Sequence, residues 1–226
     1  MFLVAFYRST IGKKVIMGVT GLIGIGYVML HMAGNLQAFI GQDKINSYGA
    51  ALHGPLNELT WLLRIVVFVA LVLHVLMAVQ LTVRSAAARP IGYQKKEPQV
   101  ATLASRLMKW GGAFLLLFIV VHILHFTTET LDFGRWAGMT DVHGNRDVYG
   151  NIVSSFRLWW VSAFYLVAML ALGPHLYHGA WSALRTLGYA KPSATPLHRR
   201  ISLVIAVVVW LGFSLLPVAV ITGILR

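Results

Sequence analysis

LTWLLRIVVFVALVLHVLMAVQLTV, residues 59–83, is an almost unbroken apolar run that holds one arginine, one histidine and no acid. A hydrocarbon core about 30 Å thick needs about 20 apolar residues for each helical crossing. The stretch therefore reads as a transmembrane helix. Its apolar residues are continuous rather than alternating, which argues against a barrel strand, and lipid admits no other spanning structure. Four further segments of this kind, near 15–40, 107–128, 156–183 and 201–225, bring the expected crossings to five. The fold class that follows is all-α, a polytopic bundle forming one domain over residues 1–226. Composition agrees: 58% of the residues are hydrophobic and 12% charged, outside the range of soluble globular domains.

The chain has no cysteine, so it brings no disulfide and no thiolate ligand to a zinc or iron–sulfur site. Arg8, Lys13 and Lys14 imitate the start of a signal peptide. The apolar run behind them is too long for one and lacks a small-residue cleavage site, so it reads as a retained first helix. Those three residues, with Arg84, Arg89, Lys95, Lys96, Arg106 and Lys109 and with Arg185, Lys191, Arg199 and Arg200, make 13 of the 19 Lys and Arg. All 13 fall on one side of the expected topology. Asp43, Glu58, Glu129, Asp132, Asp141 and Asp147 fall on the other, leaving Glu97 as the lone acid of the basic side. The positive-inside rule then places the amino terminus in the cytoplasm and the carboxyl terminus outside, as a multi-pass protein of the cytoplasmic (inner) membrane. The net charge of +12 is explained by orientation and by attraction to anionic lipid. No aromatic-studded basic platform supports nucleic-acid binding.

Glycine and proline mark the connections. Residues 41–58 (Gly41, Gly49, Gly54, Pro55) read as an external loop, and 84–106 (Pro90, Gly92, Pro98) as an internal one. Residues 129–155 form the longest polar external connection and are expected to cap the bundle, and 184–200 (Pro192, Pro196) returns the chain inside. The first helix carries Gly18, Gly21, Gly24 and Gly26, with Gly34 further on. Such residues serve close helix packing or make room for a bulky planar ligand. Gly24 shares a face with His31, which favours the second use.

His31, His74, His122 and His175 fall one apiece in the first four apolar segments. An imidazole in lipid needs a partner, a cavity or a metal. Counting 1.5 Å per residue along helices of alternating direction sorts them by depth. His31 and His122 form an outer pair, and His74 and His175 an inner pair, roughly 10–15 Å apart. Two histidines on different helices at one depth are what a planar iron porphyrin needs as axial ligands. Two such haems stacked through the membrane would conduct electrons across it.

Two of these helices repeat a histidine three residues on, giving His122/His125 and His175/His178. Each i, i+3 pair shares a face and suits a small transition metal, but no carboxylate or cysteine accompanies it. His125 and His178 are instead expected to hydrogen-bond a haem propionate, a quinone or water. His53, His143 and His198 lie in connections and are assigned no ligand role. Glu58 and Glu129 fall at the outer boundary, where a carboxylate is ordinarily solvated but could relay protons released by quinol. Asn35, Gln37 and Trp61 are further outer-side candidates for contacting quinone.

The segments GLIGIGYVMLHMAGNLQAF (21–39), LVLHVLMAVQLTV (71–83), SRLMKWGGAFLLLFIVVHILHF (105–126) and AFYLVAMLALGPHLYHGAWSAL (163–184) carry a resemblance that covers most of the chain. They resemble the two-haem cytochrome b anchor of the succinate dehydrogenase and fumarate reductase family, in its single-chain, five-helix form. The resemblance implies a distal haem b on His31 and His122 and a proximal haem b on His74 and His175. It thereby favours His122 over His125 and His175 over His178. It also implies two cytoplasmic partners, a flavoprotein with covalent FAD and an iron–sulfur subunit, with a quinone, often menaquinone, reacting near the distal haem. A higher oligomer is compatible with it. The alternatives are the cytochrome b subunit of a hydrogenase or formate dehydrogenase, whose ligand spacing differs, and a histidine-lined metal transporter.

Overall fold

A computed structural model describes residues 2–88, 103–189 and 195–226. Arg89, Pro90, Gly92, Lys95, Lys96, Glu97, Pro98, Lys191 and Pro192, which entered the charge and turn readings, lie outside the described residues. The described residues form eight helices: α1 (Phe2–Arg8), α2 (Thr10–Asn35), α3 (Gln42–His53), α4 (Asn57–Ala87), α5 (Leu103–His122), α6 (Val148–Arg157), α7 (Trp159–Thr186) and α8 (Thr195–Ile221). A 3₁₀ turn, Leu36–Phe39, extends α2, and a π-helical turn, Ile123–Thr127, extends α5. Five spans, Thr10–Phe39, Asn57–Ala87, Leu103–Thr127, Trp159–Thr186 and Leu197–Ile221, are long and apolar enough to cross a membrane.

The core is built around α2 and α7. α2 packs on α4, α7 and α8, while α7 also packs on α5 and α8. The outward flanks stay apolar, with Leu62, Ile65, Phe68 and Val79 of α4 all exposed, as a lipid-facing helix requires. Pro174 and Pro217 lie inside α7 and α8. Each removes an N–H from the ladder, a loss that transmembrane helices accommodate against their neighbours.

The spans begin and end within a few residues of the sequence expectation, α6 occupies the end of the stretch read as the 129–155 connection, and two further differences bear on the fold. The stretch read as a loop over 41–58 contains α3, and its glycines punctuate that helix rather than dissolve it. Gly41 enters at φ 143°, a conformation only glycine takes readily, and Gly54 ends the helix. Asp43 sits in the first turn, where a carboxylate complements the helix dipole, and Ile45 and Asn46 are buried. The fourth crossing begins at Trp159 rather than at 156, because Leu158 is extended and separates α6 from α7. The Ser162 hydroxyl donates to the Phe156 carbonyl across that break at 2.6 Å, satisfying an acceptor that the interrupted ladder leaves free.

α3 and α6 pack on each other over one end of the bundle. Ile45 of α3 and Ile152, Val153 and Phe156 of α6 share a core with Val161 and Tyr165 of α7 and Leu216, Ala219 and Val220 of α8. The two connections, 41–58 and 129–155, thus cover that end of the bundle through this packed pair of helices.

Candidate functional site

His74 of α4 and His175 of α7 meet with ring centres 6.3 Å apart. Two imidazoles on opposite sides of one metal, each nitrogen about 2.0–2.1 Å from it, place their ring centres about 6.3 Å apart. The His74 Nδ1 lies 3.1 Å from the Met17 carbonyl of α2. A carbonyl only accepts, so Nδ1 carries the proton and the Nε2 lone pair is left for a ligand bond. Fixing one ring nitrogen through a backbone carbonyl is how metal-binding histidines are commonly oriented. Nδ1 of His175 is buried without a hydrogen-bond partner. A lone imidazole nitrogen there costs about 1–3 kcal/mol unless something engages the ring.

Glycines make the space around these rings. A Cβ on Gly21 would lie 3.3 Å from His74 Cε1, and one on Gly112 would lie 3.6 Å from His175 Cε1. Between α5 and α7, a cavity of about 140 Å³ opens beside His175, lined by Met108, Gly111, Ala171 and Pro174. The donor pair, its spacing and this glycine-lined setting fit a metal held by two imidazoles.

His31 of α2 and His122 of α5 meet at 5.7 Å, edge to face. That is closer than two ligands on opposite sides of one metal stand, so the rings would part by roughly half an ångström to take that arrangement. His31 stacks on Tyr27 at 5.8 Å and also packs on Phe213 at 5.5 Å. The Asn35 amide donates to the His31 carbonyl at 3.1 Å and to its Nε2 at 3.2 Å. His122 stacks on Phe118, and its Nδ1 lies 3.4 Å from the Tyr165 hydroxyl.

The second histidines part company with the first. His125, 1% exposed, bonds Tyr165 Oη through Nδ1 and Ser155 Oγ through Nε2, each at 2.9 Å. Both its nitrogens are engaged by protein groups, so the expected propionate, quinone or water partner has no nitrogen left to bind. Nε2 of His178 bonds Ser182 Oγ at 3.1 Å. His178 also lines a cavity of about 380 Å³ together with Lys14, Trp181, Arg185 and Arg199. Among the described residues, no three His, Asp or Glu side chains converge on a metal-sized point.

The remaining candidates are more scattered. Glu58 and Trp61 are exposed at the start of α4, with the Arg64 guanidinium 5.1 Å over the Trp61 ring. Gln37 is half-buried in the 3₁₀ turn. A Cβ on Gly24 would meet nothing within 4 Å, so the space on that face of α2 is open. Of Asn35, Gln37, Trp61 and Glu58, Asn35 alone has a hydrogen bond to one of the four histidines.

Glu129 is held rather than solvated. Its Oε1 accepts from Arg146 Nε at 2.8 Å and from Asn151 Nδ2 at 3.1 Å, and its Oε2 from the Gly138 amide at 3.2 Å. Nearby, burial works to raise the Asp147 carboxyl. Hydrogen bonds from the Gly150 amide, Asn46, Gln42 and Trp136 outweigh it and hold the group below its usual range. These bonds tie α3 to the start of α6. No protein-family model, curated protein or solved structure matches the chain.

Sequence reading passed over Tyr165, Ser155 and Asn151, and over Gly112 and Met17. One signal was available for Tyr165. It stands ten residues before His175, about 15 Å nearer the start of the same helix, the level expected of His122.

Proposed function

We propose that this chain is the two-haem cytochrome b anchor of a succinate:quinone oxidoreductase, passing electrons between a cytoplasmic iron–sulfur subunit and quinone in the membrane. The observation that carries the reading is the meeting of four intramembrane histidines in two pairs, at 5.7 and 6.3 Å, each joining helices that are not sequence neighbours. His31 with His122, and His74 with His175, would hold the two haem irons. Bound there, haem b supplies reversible one-electron carriage at a potential set by its ligands and by the dielectric around them.

The chain's own groups do the rest. The Met17 carbonyl keeps the proton on His74 Nδ1. Phe118 and Phe126 against His122, and Phe213 against His31, keep water from the outer pair. Asn35, whose amide reaches His31 Nε2, would turn from that nitrogen to a quinone carbonyl once the nitrogen binds iron, and Glu58 at the outer boundary would take up a proton. On the opposite side, Lys14, Arg185 and Arg199 line a cationic cavity, and that face would receive the iron–sulfur subunit, with the FAD-bearing flavoprotein behind it.

A compact metal-transport site is less well supported, because no third donor joins either pair among the described residues. Mild-detergent purification of the native complex, followed by mass spectrometry of its companion polypeptides, tests the assignment. A flavoprotein and an iron–sulfur protein that together oxidise succinate are expected. A hydrogenase or formate dehydrogenase large subunit in their place would overturn it.

A further inference from the structure

A single file of hydrogen bonds runs from the external lid into the membrane and ends on His122. The Asn151 amide donates to Glu129 Oε1 at 3.1 Å, and the Ser155 hydroxyl donates to Asn151 Oδ1 at 3.1 Å. Ser155 Oγ lies 2.9 Å from His125 Nε2, His125 Nδ1 lies 2.9 Å from Tyr165 Oη, and Tyr165 Oη lies 3.4 Å from His122 Nδ1. Ser155, His125, Asn151 and Tyr165 are all buried.

The direction of every bond follows from the first. A carboxylate can only accept, so Asn151 must present its NH₂ to Glu129 and its oxygen to Ser155. That oxygen takes the one hydroxyl proton of Ser155, so Ser155 Oγ accepts from His125 Nε2–H. His125 Nδ1 is then a bare acceptor and takes the Tyr165 proton. The Tyr165 oxygen in turn accepts from His122 Nδ1–H, which leaves the His122 Nε2 lone pair unprotonated.

The chain's outer anchor is built at some conformational cost. Glu129 adopts φ 54°, a left-handed conformation that non-glycine residues take up only when their surroundings hold them there. Arg146 provides the hold, binding Glu129 Oε1 and also donating to the Phe126 carbonyl at 2.8 Å. Phe126 lies in the π-helical turn that carries His125, a distortion that recurs at functional sites.

We propose that Glu129, through Asn151, Ser155, His125 and Tyr165, is the positioning residue that fixes the His122 tautomer and raises its basicity as an iron ligand. The inference rests on the proposed haem function of His122. Its part for Glu129 is positional, in contrast to the proton relay expected from its boundary place, because the Asn151 amide has no proton to pass on. The inner ligand His74 is set differently, by the Met17 carbonyl at 3.1 Å with the Thr20 hydroxyl 3.4 Å from the same nitrogen, and neither group belongs to the file. The side-chain file therefore acts on one haem of the two. A hydrogen bond accepted from Nδ1–H gives the imidazole more anionic character and favours oxidised iron, so breaking the file raises that haem's potential.

The test is a redox titration of Tyr165→Phe and Ser155→Ala, followed through the haem absorption bands, in the assembled complex. Both variants are expected to shift upward the potential of the haem that His31→Ala removes, and to leave unmoved the haem that His74→Ala removes. The second haem also serves as the control for folding. No shift, or equal shifts of both haems, would overturn the proposal. Nitrogen NMR of the ¹⁵N-histidine chain without haem reads the tautomers directly. Nδ1–H on His122 with Nε2–H on His125 supports the file, and the reverse pattern overturns it. Absence of haem from the native complex would instead remove the proposed function, while the tautomer spectrum still decides the direction of the file.

Discussion

Replacing Asp147 with alanine should loosen the lid formed by α3 and α6 as a unit. The Asp147 carboxylate accepts from the Gly150 amide at 3.0 Å, Asn46 Nδ2 at 3.0 Å, Gln42 Nε2 at 3.1 Å and Trp136 Nε1 at 3.1 Å. The first of these is the N-cap bond of α6, whose loss costs about 1 kcal/mol. The bonds from buried Asn46 and from Trp136 end on a charged acceptor and contribute about 1.5–3 kcal/mol each. Neighbouring bonds are not additive, since Asn46 keeps Asp141 as a second acceptor. About 3–5 kcal/mol of lid stability is therefore at stake. In hydrogen-exchange mass spectrometry that corresponds to roughly 100- to 5,000-fold faster exchange for peptides covering both α3 and α6. Asn46→Ala should speed the same two helices, and the double variant should add little to Asp147→Ala. Faster exchange confined to the first turn of α6, with α3 unchanged, would refute the idea that one carboxylate binds the two helices together.

Three further outcomes follow from the same geometry. Because the folded-state Asp147 carboxyl sits below its usual 3.8, its contribution is complete above that value and is lost as pH falls through the lower, folded one; lid exchange should quicken on acidification in the wild type and much less in Asp147→Asn. Gly112→Leu places a branched side chain where a Cβ already lies 3.6 Å from His175, so haem content should fall by one per chain, whereas Gly112→Ala should keep both. Lys13 is buried and bonded to Gln80 Oε1. Gln80→Leu should therefore cost about 1–3 kcal/mol in thermal unfolding by leaving that ammonium the Tyr7 ring but without its hydrogen bond to Gln80, and Lys13→Met combined with Gln80→Leu should recover most of it.

The membrane-spanning helices were legible because their signal is local: about 20 apolar residues in a row admit one structure in lipid. The approach of His31 to His122 and of His74 to His175 follows from little more than 1.5 Å per residue along antiparallel rods. α3 was not legible, because its stability comes from partners about 100 residues away, through Asn46 and Asp147. The break at Leu158 was hidden for a related reason. Apolar residues continue across it, and the Ser162 bond that closes the gap is a tertiary detail. The file behind His122 joins Ser155 to His125 and Tyr165 to His122, contacts that no spacing rule foretells. Spacing left His122 and His125 alike; in the structure they differ in that His125 has both nitrogens hydrogen-bonded to protein groups while His122 has Nδ1 near Tyr165.

Counting haem is the most direct test of the central claim. Pyridine haemochrome analysis of the purified complex should return two haems b per chain. His31→Ala or His122→Ala should remove one, and His74→Ala or His175→Ala the other. A correctly assembled chain without haem, or one that keeps both when His74 and His122 are replaced together, would contradict the account.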